Sequence, residues 1–181
     1  MKVLILGIAL SAIWAGVLLG REKSEIEGYT KWHCVTPEAV DMSPMIAMSC
    51  IGPSKFQLDP NPHASKLFKV YVNSVGRRAM ADLGKVEFPM GSKLVKEKYS
   101  RGEGVEPWTW AKLDKHAKPE LLTVMIKRKK GFAPEVGDWE FLVFSGDAQE
   151  SINEGLDHCV SCHKERAATG YVFGRYPKML R

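Results

Sequence analysis

Four segments of this 181-residue chain alternate between two sides with a period of two, and that spacing restricts the fold more than any other feature. In KLFKVYVN (residues 66–73), Phe68, Val70 and Val72 fall on one side, and Lys69, Tyr71 and Asn73 on the other. FPMGSKLVKEKY (88–99) opens with a turn signal at Pro89 to Gly91 and continues as a second run. LLTVMIKR (121–128) supplies a third, and DWEFLVFS (138–145) a fourth, with Trp139, Phe141 and Val143 sharing a side. Successive side chains of a strand point to opposite faces, so the spacing predicts half-buried strands rich in β-branched and aromatic residues. A helical bundle needs apolar positions three and four apart through its whole body, and these segments do not provide them.

The connections agree. KKGFAPEVG (129–137) carries the Gly and Pro of a hairpin loop between the third and fourth strands. SVGRRAMADLG (74–84) predicts a helix, with Asn73 or Ser74 as its N-cap and Gly84 as its terminator. DAQESINEGLDHCVSCHKER (147–166) is helix-compatible throughout. Residues 29–62 are rich in Pro, Met and Ser and predict one short helical segment in irregular structure. The polar stretch 100–120 is a long loop in which Trp108 and Trp110 are packing anchors. The expected class is α+β: an antiparallel sheet with flanking helices at the edges of the sequence.

Met1 and Lys2 precede an unbroken apolar run, VLILGIALSAIWAGVLLG (3–20), which is followed by REKSE. A basic start and an apolar run read as an export signal, either cleaved after Ala15 or kept as a membrane anchor. The chain is therefore expected in the periplasm, free or tethered to the inner membrane by residues 3–20. The expected organisation is residues 1–20 as leader, 21–65 as N-terminal extension and 66–181 as the main domain. A formal charge of +5 would suit nucleic acid, but an exported chain has little access to it and carries no motif for it. KRKKG (127–131) reads as a solvated turn, with docking of an acidic redox partner as its second use.

Four cysteines fall into two pairs. Cys34 and Cys50 are either a bridge, contributing about 3 kcal/mol by restricting the unfolded chain, or two thiols. Cys159, Cys162 and His163 spell C-x-x-C-H. Thiols three apart on a helical turn project from one side and can add to the two vinyl groups of one haem, while the next histidine reaches its iron. A disulfide or half of a zinc site is the competing reading. His158 is expected to be an exposed helical residue. Only Met179 follows, and it reads as a docking hydrophobe of the tail; an upstream methionine is the alternative sixth ligand. An iron with His163 as its one firm protein ligand suits binding or catalysis rather than pure electron transfer.

The stretches KVYVNSVGRRAM, FPMGSKLVKEKY, LLTVMIKRKKGF, GDWEFLVF and CVSCHKERAATGYVF, in this order, resemble the cytochrome P-460 family, which includes the β-sheet gas-binding cytochromes c′-beta. The resemblance implies an antiparallel sheet, often dimeric, holding one covalent haem c with His163 as iron ligand. It implies either hydroxylamine oxidation, with electrons leaving to a redox partner protein, or nitric oxide binding without turnover. The hydroxylamine-oxidising members bond a lysine to the porphyrin, and the matching position here is Lys96, in GSKLVKE. Strand alternation puts Lys96 on the side of Leu94 and Lys98, with Glu97 opposite. The competing reading of Lys96 is a solvated lysine in a Lys-rich edge strand. The resemblance also implies a carboxylate on the open haem face in the enzymes, for which Glu97, Glu135, Asp138 and Glu140 are available. In the gas binders it implies aromatics, for which Phe68, Phe132, Phe141 or a tryptophan are.

Overall fold

The alternating segments form one seven-stranded antiparallel sheet in the computed structural model of the chain. Residues 22–36, 38–41, 66–100, 110–111, 113–114, 116–153 and 156–174 are described. The apolar run 3–20, Cys50, Trp108 and Met179 lie outside them. Among the described residues no helix is long and apolar enough to cross a membrane.

The strands are β1 (His33–Cys34), β2 (Ala39–Asp41), β3 (Lys66–Val72), β4 (Lys93–Ser100), β5 (Trp110–Ala111), β6 (Leu121–Lys127) and β7 (Trp139–Ser145). Their order is β5-β2-β3-β4-β6-β7, and β1 also pairs with β3. The two helices are α1 (Arg77–Ala81) and α2 (Asp157–Lys164). β4 lies between β3 and β6, so Lys96 is on a central strand and not on an edge.

The register aligns Val72, Leu94, Met125 and Phe141 across four strands. Beside them run Val70, Lys96, Thr123 and Val143, and then Phe68, Lys98, Leu121 and Ser145. Apolar members of this face pack with Ala79 and Met80 of α1 and with Phe88, Val136 and Val172. The opposite face carries Val95, Leu122, Val124, Ile126, Leu142 and Phe144. It is covered too: Ile26, 2% exposed, sits in that second cluster, with Tyr29 and Trp32 against it. The expected half-buried strands are therefore buried on both faces, because the segment that carries Ile26, Tyr29 and Trp32 folds back over the sheet. An ion-paired junction fixes that segment, with Glu25 between Lys93 and Arg128 and Arg128 also holding Glu140.

Two helices are shorter than the sequence suggests. Asn73 does not cap a helix at residue 74. Its Oδ1 accepts from Gly76 N (3.1 Å) and Lys93 N (3.0 Å), and its Nδ2 donates to Gly91 O (2.9 Å), which clamps two turns at one end of the sheet. After β7 the chain does not enter a helix at Asp147. Ser145 and Asp147 take up local backbone donors, and the chain doubles back along β7 through an isolated bridge between Phe144 and Ser151. Short polar side chains that bond their own backbone disfavour helix, and an edge strand gains partners from the returning chain. Cys34 is a free thiol that donates to Thr36 O at 3.0 Å, so it makes no bridge with Cys50.

Candidate functional site

α2 has the sequence DHCVSCHK, with Asp157 in its first turn and Lys164 beside His163 in its last; the Asp157 and Lys164 charges complement the helix dipole. Cys159 and Val160 pack on the core of the first sheet face, Cys162 is buried and His158 is exposed. The 3-10 turn Pro134–Val136 lies against the helix.

His163 Nδ1 lies 2.7 Å from Tyr171 O. A carbonyl can only accept, so Nδ1 carries the proton and Nε2 keeps its lone pair. This is how a metal-ligating imidazole is oriented and its tautomer fixed. The ring sits between Phe141 and Phe173, each 5.0 Å away by centroid. Burial, with the charges of Lys96 and Arg166 behind it, lowers the pKa of His163 to about 4 despite the Tyr171 carbonyl, so the imidazole is neutral at pH 7.

The backbone that presents Tyr171 is unusual. Tyr171 has φ 65, in the left-handed region that side chains disfavour. Its ring packs so closely on Gly137 (φ 64) that a Cβ there would meet Tyr171 Cε2 at 2.4 Å. Gly170 O in turn accepts from Trp139 Nε1 at 2.9 Å. Tyr171 and Phe173 carry no recognisable spacing, so sequence reasoning had no signal for their role beside His163.

Lys96 and Lys98 stand on the same sheet face as the α2 contacts, and their charges reach Cys159. Lys96 Nζ lies 4.4 Å over the Phe68 ring. Burial lowers the pKa of Lys96 to about 7 and that of Lys98 to about 8. Burial likewise raises the Cys159 thiol, against the pull of Lys98 and Lys96.

Three of the four carboxylates suggested by sequence are engaged elsewhere. Glu97, 4% exposed, faces away from Lys96 and accepts from Tyr29 (2.8 Å) and Tyr99 (2.7 Å). Glu140 pairs with Arg128. Asp138 Oδ1 accepts from Gly131 N and Ala133 N, and Glu135 is exposed. Among the aromatics, Phe68 and Phe141 lie on the Lys96 face, whereas Phe132 is 49% exposed in its loop.

The residues fit a haem on three observations. A neutral histidine has a free lone pair on a fixed ring. Arg166 Nε is buried without a hydrogen-bond partner, as a group awaiting a carboxylate would be. Cys159 is a free thiol. Cys162 is disulfide-bonded and must be reduced before its sulfur can join a vinyl group.

A helix bearing C-x-x-C-H, packed through Cys159 and Val160 against one face of a seven-stranded antiparallel sheet, defines a β-sheet cytochrome-type domain rather than a helical one. The sequence matches the cytochrome P460 family over residues 26–174, and the chain belongs to that family. Membership implies a haem cofactor. No curated protein matches the chain.

Proposed function

We propose that this chain is an exported monohaem c-type cytochrome whose haem is joined to Cys159 and Cys162, with His163 as axial ligand, and that it captures a small nitrogen species, nitric oxide foremost. The observation that carries the choice is the makeup of the sheet face toward Cys159 and His163. It presents Phe68, Val70, Leu94, Met125 and Phe141 with two lysines, and no strand residue described on it is a carboxylate.

When bound, haem supplies an iron that takes small nitrogen ligands and exchanges electrons. This chain's own residues do the rest. Tyr171 O holds the proton on His163 Nδ1, so Nε2 is the atom offered to a metal. Phe141 and Phe173 fix the plane of that ring and keep water from it. Oxidation of hydroxylamine needs a base to remove its protons; Glu97 is committed to tyrosines, Glu140 to Arg128 and Asp138 to its loop, which leaves the exposed Glu135 of the four carboxylates.

Hydroxylamine oxidation remains the second reading for one reason: Lys96 faces the same side as Cys159, where a bond to the porphyrin edge could form. Mixing the haem-loaded protein with nitric oxide and, separately, with hydroxylamine and an electron acceptor decides between them. The account expects a stable nitric oxide complex and no sustained consumption of hydroxylamine. Steady turnover of hydroxylamine would reverse the assignment, and failure to bind either would remove both.

A further inference from the structure

We infer that Lys98 holds a small oxyanion beside the haem site, through an ammonium group to which the described residues offer no counter-charge. The inference deepens the haem reading above and rests on it.

Lys98 is 2% exposed, yet its side chain makes no hydrogen bond or ion pair with any described residue. A buried ammonium is retained when something satisfies it, because losing its hydration without a partner is costly. Its neighbours on the sheet do not. Phe68 lies across from it on β3 and Leu121 on β6. The next cation along, Lys66, is already taken by Glu120. Glu97, one residue away in sequence, points through the sheet to Tyr29 and Tyr99. Lys96 stands two residues along on the same face with its ammonium over Phe68, so two cations converge where no described carboxylate answers them.

The complement of such a site is an anion small enough to enter a buried space. A lysine ammonium is a compact charge with three donors, suited to a monoanionic oxyanion of the nitrite kind. A haem propionate has the same carboxylate-like chemistry, but propionates leave the porphyrin on the edge away from the vinyl groups. Lys98 lies on the sheet face that Cys159 packs against, beside its register partner Phe68, which is the side where a vinyl group would be joined. Arg166 Nε, by contrast, is the unpartnered donor suited to a propionate.

Nitrite and neutral imidazole, titrated into the ferric holoprotein and followed by the Soret band, test this. Lys98→Met should weaken nitrite binding by about tenfold and leave imidazole within about twofold, while Lys98→Arg should retain nitrite binding to within about threefold. In the unmodified protein, nitrate should compete with nitrite and not with imidazole, a result that holds even if Lys98→Met does not fold. Unchanged nitrite affinity in a haem-loaded Lys98→Met protein, or absence of nitrate competition, overturns the inference alone. A shift of reduction potential without any change in nitrite affinity assigns Lys98 to a propionate and overturns it as well. An unmodified protein that takes up no haem overturns the haem reading first.

Discussion

Tyr171 reaches His163 through its backbone: its carbonyl oxygen lies 2.7 Å from His163 Nδ1, and the residue adopts φ 65. Strain of this kind persists only where the surroundings over-determine it. Here the surroundings are Gly137, which leaves room for the Tyr171 ring, and Trp139, which holds Gly170. The orientation of the proposed iron ligand thus depends on a loop about 26 residues upstream of it, counted from Gly137 to His163.

Gly137→Ala should therefore disturb His163 without touching it. The new Cβ would lie 2.4 Å from the Tyr171 ring, at a position with φ +64. The expected loss of stability is about 2 kcal/mol from overpacking and backbone strain together. Denaturant unfolding of the apoprotein measures it, and the spectrum of the holoprotein should change in the same variant. An unaltered midpoint and spectrum would show that Tyr171 is free to move.

Glu97→Ala should be costly to the fold and silent in ligand binding. It strips the acceptor from Tyr29 and Tyr99 in a buried setting, at about 3 kcal/mol for the stranded hydroxyls. Thermal unfolding should register the loss while nitric oxide affinity of the folded holoprotein stays the same. A collapse of ligand chemistry with stability intact would place Glu97 on the haem side after all.

The apoprotein should gain stability as pH rises above neutrality. Lys96 and Lys98 titrate at about 7 and about 8 in the folded chain against 10.5 for a free lysine. Between those values the unfolded chain binds more protons, so raising the pH favours the folded state. His163 acts in the same direction at the acid end: its pKa falls from 6.5 to about 4 on folding, so stability drops as pH falls through that window. Urea midpoints measured from pH 5 to 10 should climb, and Lys96→Met with Lys98→Met should flatten the alkaline part. A flat profile in the unmodified apoprotein would mean that both ammonium groups are solvated.

The four long strands were legible because a period of two is a local signal, and each appears within a residue or so of its expected position. The way Glu97 and Lys96 part to opposite faces was legible for the same reason. The cover over the second face was not. Ile26, Tyr29 and Trp32 show no periodicity, and their partners Val124, Leu142 and Glu97 are distant in sequence. The helix expected from Asp147 failed because composition does not reveal that Ser145 and Asp147 bond their own turn. At the site, C-x-x-C-H announced itself by spacing, whereas Tyr171 acts through a main-chain oxygen, which no side-chain pattern records. Lys98 stood in plain view beside Lys96, but only its burial distinguishes it from a surface lysine.

The central claim is the covalent attachment of one haem through Cys159 and Cys162, and peptide mass spectrometry of protein expressed with c-haem maturation machinery tests it most directly. The account predicts that the peptide containing Cys159 and Cys162 carries the haem mass, and that Cys159→Ala with Cys162→Ala releases it to acidic solvent. The nitric-oxide-binding reading further predicts that the peptide containing Lys96 does not travel with it. Haem found on all three residues would shift the assignment to hydroxylamine oxidation. Haem bound without any thioether would contradict the account at its root.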